Sequence, residues 1–259
     1  IVRSAAQGTS SEGSDLDLWD LPNLKSSSAK ATIQQIDRWA PLRAPIFLIG
    51  GRGTGKTTLA QIIRARSPFR AIDDARKPKD TKPWPVVVCG QFRANPQLAR
   101  SELFGHTKGA FTGADAERKG ILEQVEGDTL FLDEIADLDR GTQRLLIAAI
   151  EGRDYYRLGN ETKSYKANFR LIVATNRPLD GLLLDPSAGD AAHGIDADFF
   201  DRISTFIVRI PPLRERREDL PDIWRTMLRT AAERALHEHE AARRDAGVRE
   251  EHPVGREPG

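Results

Sequence analysis

Eight residues, Gly50-Gly51-Arg52-Gly53-Thr54-Gly55-Lys56-Thr57, constrain this chain more than any other stretch. They fit the pattern G-x-x-x-x-G-K-[ST] in full and stand between a short apolar run and a helical pattern that opens at Lys56. A strand that ends in a glycine-rich loop and runs straight into a helix aims backbone N–H groups and a helix N-terminus at one point, where an anion binds. Glycines suit that loop because Cβ atoms would keep the backbone from wrapping a phosphate. A lysine at position 56 reaches β- and γ-phosphates, and the Thr57 hydroxyl is a ligand for Mg²⁺. Gly50, Gly51, Arg52, Gly53, Thr54, Gly55, Lys56, Thr57 and Thr58 are therefore the expected contacts of ATP. A glycine-rich turn with an incidental lysine would require neither flank.

The rest of the chain supplies the fold for such a loop. β-Branched apolar runs occur at residues 45–49, 85–89, 129–132, 169–174 and 205–210, apolar almost throughout, as strands buried on both faces are. Helical patterns at 29–41, 56–65, 96–103, 120–126 and 140–151 are interleaved with them. This alternation predicts an α/β fold of the P-loop NTPase kind, a five-stranded, mainly parallel sheet with helices on both faces. Residues 1–28 are rich in Ser, Gly, Ala and acidic groups and predict a flexible linker, with Trp19 and Leu21 as its apolar anchors. Residues 29–212 form the predicted core. Residues 213–246 read as a charged linker and one helix with Ile223, Trp224, Met227 and Leu228 on one side, and 247–259 as a disordered tail.

Composition closes off several other functions. Lys and Arg total 39 against 38 acidic residues, a balance that marks no nucleic-acid-binding surface, and no DNA-reading motif is found. No apolar run reaches the roughly 20 residues a membrane span needs. The single cysteine, Cys89, excludes an intrachain disulfide and a cysteine-based zinc cluster; it suits a cytoplasmic protein and, within 86–89, reads as a small core residue. The opening Ile1-Val2-Arg3 has neither an initiator Met nor a signal peptide and reads as the start of an excised piece.

A second element complements the loop. Thr129-Leu130-Phe131-Leu132 is an apolar strand that ends in Asp133 and Glu134. A buried strand carries such charges at its C-terminal edge, where ligands of open α/β sheets bind. Asp133 is then the second candidate for Mg²⁺, partly through water. Glu134 is the candidate base for an attacking water, because nothing in the loop can take a proton. An ordinary acidic helix cap is the competing reading. Thr175-Asn176 closes another strand, and Asn176 is placed to contact the γ-phosphate or the water; alone, Asn is equally a turn residue.

Residues 101–114, Ser-Glu-Leu-Phe-Gly-His-Thr-Lys-Gly-Ala-Phe-Thr-Gly-Ala, closely resemble the signature of the AAA+ domains of bacterial enhancer-binding proteins, the ATP-driven activators of sigma-54 RNA polymerase. Resemblance continues through residues 127–134, the helix with Gln143 and Leu145-Leu146, Ala174-Thr175-Asn176-Arg177, and Pro211-Pro212-Leu213-Arg214-Glu215-Arg216. It implies that Gly109, Ala110, Phe111, Thr112, Gly113 and Ala114, within the loop 105–114, contact the polymerase, with Phe111 as an exposed aromatic tip between flexible glycines. His106 would position that loop. It implies a homo-oligomeric ring, a hexamer, in which Arg202 completes the site of a neighbour; a local salt bridge with Asp198 or Asp201 is the alternative for Arg202. A partial or truncated helical lid would follow the core, since only one helix remains after Arg216.

Two departures stand out. The family carries another arginine six residues before the finger, where this chain has Asp196, and an asparagine on the second strand that restrains the catalytic glutamate, aligned here with Gly90. Gln91 is the nearest substitute, although a one-residue shift turns a strand side chain to the other face. These departures keep two other functions in play: a nucleotide-binding regulatory or scaffold module with little turnover, and a remodeller of another protein.

Overall fold

A computed structural model describes residues 24–69, 84–160, 162–183 and 194–247. In chain order these form α1 (Ser27–Trp39), β1 (Ile46–Ile49), α2 (Lys56–Ala65), β2 (Val86–Val88), α3 (Pro96–Phe104), β3 (Gly105–His106), β4 (Arg118–Lys119), α4 (Ile121–Gln124), β5 (Thr129–Asp133), α5 (Arg140–Ile150), β6 (Tyr155–Tyr156), β7 (Ser164–Tyr165), β8 (Arg170–Thr175), α6 (Ala197–Ile203), β9 (Phe206–Arg209) and α7 (Leu220–Gly247). Five strands make one sheet in the order β2-β5-β8-β1-β9, every pair parallel. The short pairs β3–β4 and β6–β7 are antiparallel.

The period of two along each strand splits the core into layers. Phe47, Leu130, Leu132, Leu171 and Val173 face one layer, against α3, α4, α5 and α6. Ile46, Leu48, Phe131, Ile172, Ala174 and Val208 face the other, against α1 and α2. Burying each of these side chains larger than alanine contributes about 1.5–3 kcal/mol, which is why apolar runs without polar alternation became central strands. Cys89 is fully buried in the first layer, as expected. The second strand is shorter than its apolar run: it stops at Val88, and Cys89–Phe92 turns into a 3₁₀ helix.

Polar side chains set the helix starts. Ser26 accepts from Ala29 N–H, Asn95 from Leu98 N–H with Pro96 in the first turn, and Asp139 from Thr142 N–H. Helix α1 thus begins at Ser27, two residues before its apolar pattern, and Leu24 ahead of it is buried. Asp219 holds that entry: it accepts from the N–H groups of Lys25 (2.6 Å) and Ser26 (2.8 Å), from Ser26 Oγ (2.6 Å) and from Arg216 Nε (3.1 Å).

Two buried arginines tie helices to the sheet. Arg64 of α2 donates through Nε and Nη2 to both oxygens of Asp128, at 2.8 and 2.7 Å. Arg170 of β8 donates to the carbonyls of Ala40 (2.9 Å) and Trp39 (3.1 Å), satisfying the C-terminal end of α1. Burial lowers its pKa to about 10. Helix α7 follows the sheet with Trp224, Met227, Leu228 and Leu236 exposed. Trp19, Leu21 and the tail from residue 248 lie outside the described residues.

Candidate functional site: a glycine loop facing two carboxylates

The loop grows directly out of the sheet. Gly50 N–H donates to Thr175 O at 3.2 Å, which extends the β1–β8 ladder by one residue before the chain turns. A Cβ on Gly50 would fall 2.8 Å from Thr54 Oγ1 and 2.9 Å from Ile210 Cβ, so this start tolerates no side chain. Gly53 and Gly55 are left-handed, with φ of 72° and 90°. Thr54 Oγ1 donates to Gly51 O at 2.9 Å and staples the loop across its base.

Gly55 caps α2 and has no side chain to accept from the first turn, whose N–H groups lack intrahelical acceptors. Lys56 opens that turn and is buried. Its Nζ donates to the carbonyls of Gly50 (3.1 Å) and Gly51 (3.3 Å) and stands 3.9 Å from Glu134 Oε1.

Asp133 and Glu134 stand opposite. Asp133 ends β5, and its Oδ1 accepts from Glu134 N–H at 3.0 Å. Burial pushes the Asp133 carboxyl up, opposed by the Lys56 charge and by that N–H. Glu134 has φ 51° and ψ 51°, the one non-glycine residue in the left-handed region among the described residues. Such a conformation costs on the order of 1 kcal/mol or more and persists where its surroundings enforce it. Here it turns the chain off β5 while Glu134 Oε2 accepts from Asn176 N–H at 3.0 Å.

Arg52, Gly53, Gly55, Lys56, Thr57, Thr58, Asp133 and Glu134 line one cleft of about 400 Å³. A cleft of about 550 Å³ lies between α1 and the end of β9, but it has no glycine loop and no facing carboxylates, so size does not identify the site. The donors in the 400 Å³ cleft fit a phosphate: a buried ammonium, a helix start with no side-chain cap, and a loop backbone in which Gly53 and Gly55 carry no Cβ. The threonine and carboxylates fit a hard cation beside that phosphate. The structure thus brings together the glycine loop, Lys56, Thr57, Asp133 and Glu134, with Asn176 attached through its backbone amide.

Arg202 and the 105–114 loop lie elsewhere in the chain. Arg202 Nε donates to Glu151 Oε1 at 2.5 Å, a partner other than the Asp198 or Asp201 of the alternative reading. Within the loop, Gly109 and Gly113 have φ of 79° and 94°, and Gly109 N–H donates to Ala114 O at 2.8 Å. Phe111 is half-buried rather than an exposed tip. Its ring meets His106 edge-on with centroids 5.0 Å apart, and His106 Nδ1 is hydrogen-bonded to Ser101 Oγ at 2.8 Å. An aromatic five residues before the phenylalanine gave it a ring to lie against. Thr112 and Gly113 remain exposed.

Residues 23–208 match the family described as the sigma-54 interaction domain. The chain belongs to this family. It is 38% identical over 196 residues to the Nif-specific regulatory protein of Herbaspirillum seropedicae, covering 76% of this chain and 32% of that protein. It is 39% identical over 210 residues to the transcriptional regulatory protein ZraR of Klebsiella oxytoca, covering 81% and 43%. The chain therefore spans less than half the length of these relatives. Among solved structures it is similar to NtrX of Brucella abortus in complex with ATP, with a TM-score of 0.64, 29% identity, and 82% and 43% of the two chains covered.

Against the sigma-54 interaction domain family, both departures acquire a structural setting. Gly90 falls beyond the second strand, in the 3₁₀ turn, where its Cβ position lies 3.2 Å from Asp137 Oδ2. The strand residue in register with Asp133 is Val88, which is exposed, and Gln91 is exposed in the turn. The described contacts of the Glu134 side chain come from Asn176 and Lys56. Asp196 caps α6, accepting from Asp198 N–H at 3.1 Å; it also pairs with Arg140 Nε at 2.5 Å and donates its own N–H to Gln143 Oε1 at 2.9 Å. That carboxylate is structural. Burial works against its charge, but the Arg140 and Asp198 contacts hold its pKa below the usual range.

Proposed function

We propose that this sigma-54 interaction domain binds and hydrolyses ATP with Mg²⁺ and uses the cycle to remodel sigma-54 RNA polymerase. One observation carries the reading: Lys56 and Glu134 face each other at 3.9 Å beside a glycine loop whose first residue, Gly50, has no room for a side chain. Backbone N–H groups within residues 51–58 and the Lys56 ammonium hold the phosphates. Thr57 and Asp133 hold Mg²⁺, which when bound neutralises charge on the phosphate oxygens. Glu134 accepts the proton of the attacking water, and Asn176 sets its carboxylate through the backbone amide. Arg202 acts on the site of an adjoining copy in a homo-oligomeric ring, a hexamer by analogy with the family. A cytoplasmic location follows from that partner. The ATP bound by NtrX supports the choice of nucleotide.

Gly109 to Ala114 form the polymerase-contacting loop in this reading. With Phe111 lying on His106, the loop has a folded-down position to leave as the phosphate site changes. Phe111→Ala is expected to abolish open-complex formation on a sigma-54 promoter by the full-length protein while ATP turnover stays within about threefold, because the side chain touches no group of the phosphate site. Open complexes at the wild-type level would remove the loop from the contact and favour another protein partner.

Gly90 and Asp196 favour a second reading, a nucleotide-binding scaffold with slow turnover. Phosphate release measured across a protein concentration series separates the two: a rate per chain that rises with assembly supports the motor, and tight binding without release supports the scaffold.

A further inference from the structure

Arg202 stands in the last turn of α6 with its side chain half-exposed, and the bond to Glu151 engages Nε alone. Its two terminal nitrogens make no hydrogen bond to another described residue. Glu151 is well placed to act as an anchor. It is the C-cap of α5, its N–H donates to Ile147 O at 3.0 Å, and its second oxygen takes Arg153 Nη2 at 2.6 Å. The Arg202 hydrogen bond holds the Glu151 carboxyl below its usual range, so it is a carboxylate at neutral pH.

A guanidinium presents five N–H donors in a rigid plane. With Nε bound to Glu151, four remain, all on the two terminal nitrogens. Two such parallel N–H groups can fork a phosphoryl group. A free arginine would have to lose its rotamer freedom at each encounter, whereas an anchored one has already lost part of it. Asp198 and Asp201, on the same helix, add negative charge near Arg202 but accept no hydrogen bond from it, so they do not compete for its orientation.

We propose that Glu151 is a positioning residue for Arg202: it holds Nε and presents the two terminal nitrogens to the phosphate site of an adjoining copy. This rests on the reading of Arg202 as an arginine acting in trans. It also explains why the partner of Arg202 comes from α5 and not from its own helix.

The test is steady-state phosphate release with saturating ATP and Mg²⁺, at protein concentrations where turnover per chain has reached its plateau. Glu151→Ala is expected to lower kcat about three- to tenfold, the range an exposed charge pair and a few fixed rotamers supply, with KM for ATP within about twofold. Glu151→Gln, whose amide oxygen still accepts from Nε, should recover most of that loss, which a merely structural role would not require. In an Arg202→Ala background Glu151→Ala should cost nothing more. Wild-type kcat in Glu151→Ala, or a further loss without Arg202, would overturn the assignment. Wild-type kcat in Arg202→Ala would instead overturn the trans-arginine reading itself, and Glu151 with it.

Discussion

Replacing Glu134 by glutamine is expected to lower steady-state ATP turnover by about two to four orders of magnitude while leaving ATP binding intact. That is the range by which a positioned general base accelerates a proton transfer. Glutamine keeps the size of the side chain and can still accept from Asn176 N–H, so the turn at φ 51° has no new reason to change. What it loses is the capacity to take a proton from water. The neighbouring Asp133 is a poor substitute, because its Oδ1 already accepts from Glu134 N–H and the carboxyl faces Lys56. Turnover can be followed by phosphate release and binding by a fluorescent ATP analogue. A variant that hydrolyses ATP at more than about a tenth of the wild-type rate would mean that proton transfer does not depend on Glu134.

The second large effect lies away from the chemistry. Asp128→Ala should destabilise the domain by about 3–5 kcal/mol, the usual cost of leaving one partner of a buried ion pair alone. The Arg64 and Asp128 side chains are only 10% and 9% exposed, so water cannot take over either charge. Asp128 Oδ1 also accepts from Thr129 N–H at 2.6 Å, at the very start of the strand that ends in Asp133 and Glu134. Its backbone carbonyl accepts from Arg170 N–H at 2.9 Å, so β8 begins at the same point. A loss of that size is a large part of the 5–15 kcal/mol that holds a typical domain together. A urea unfolding midpoint reads it directly. Replacing Arg64 and Asp128 together by apolar residues should cost less than Asp128→Ala, since no charge is then stranded.

Much of this architecture was legible in the sequence because it rests on local rules. Apolar runs without alternation could only be strands covered on both faces, and all five fell into the parallel sheet. The glycine loop was legible for the same reason: its residues are contiguous, and strand, turn and helix are set by neighbours. What stayed hidden depends on residues far apart in the chain. Glu151 and Arg202 are separated by 51 positions, and neither carries a periodic signal. The Asn176 N–H that holds Glu134 is a backbone group, which no residue type announces. The two-residue pairs β3–β4 and β6–β7 are too short to show alternation. The family's second-strand asparagine aligns with Gly90, but the strand here ends at Val88 and Gly90 lies in the 3₁₀ turn that follows, a boundary that the apolar run through Cys89 does not mark. Phe111 looked exposed because glycines flank it, yet a histidine ring lay within reach.

Isothermal titration calorimetry of the folded chain with ATP and Mg²⁺ tests the central claim most directly. A saturable heat with one site per chain is predicted, and it should disappear in Lys56→Ala even where that variant unfolds at the wild-type urea midpoint. No heat from the folded wild-type chain, or an undiminished heat from Lys56→Ala, would contradict the assignment of the glycine loop as the place where the nucleotide is held.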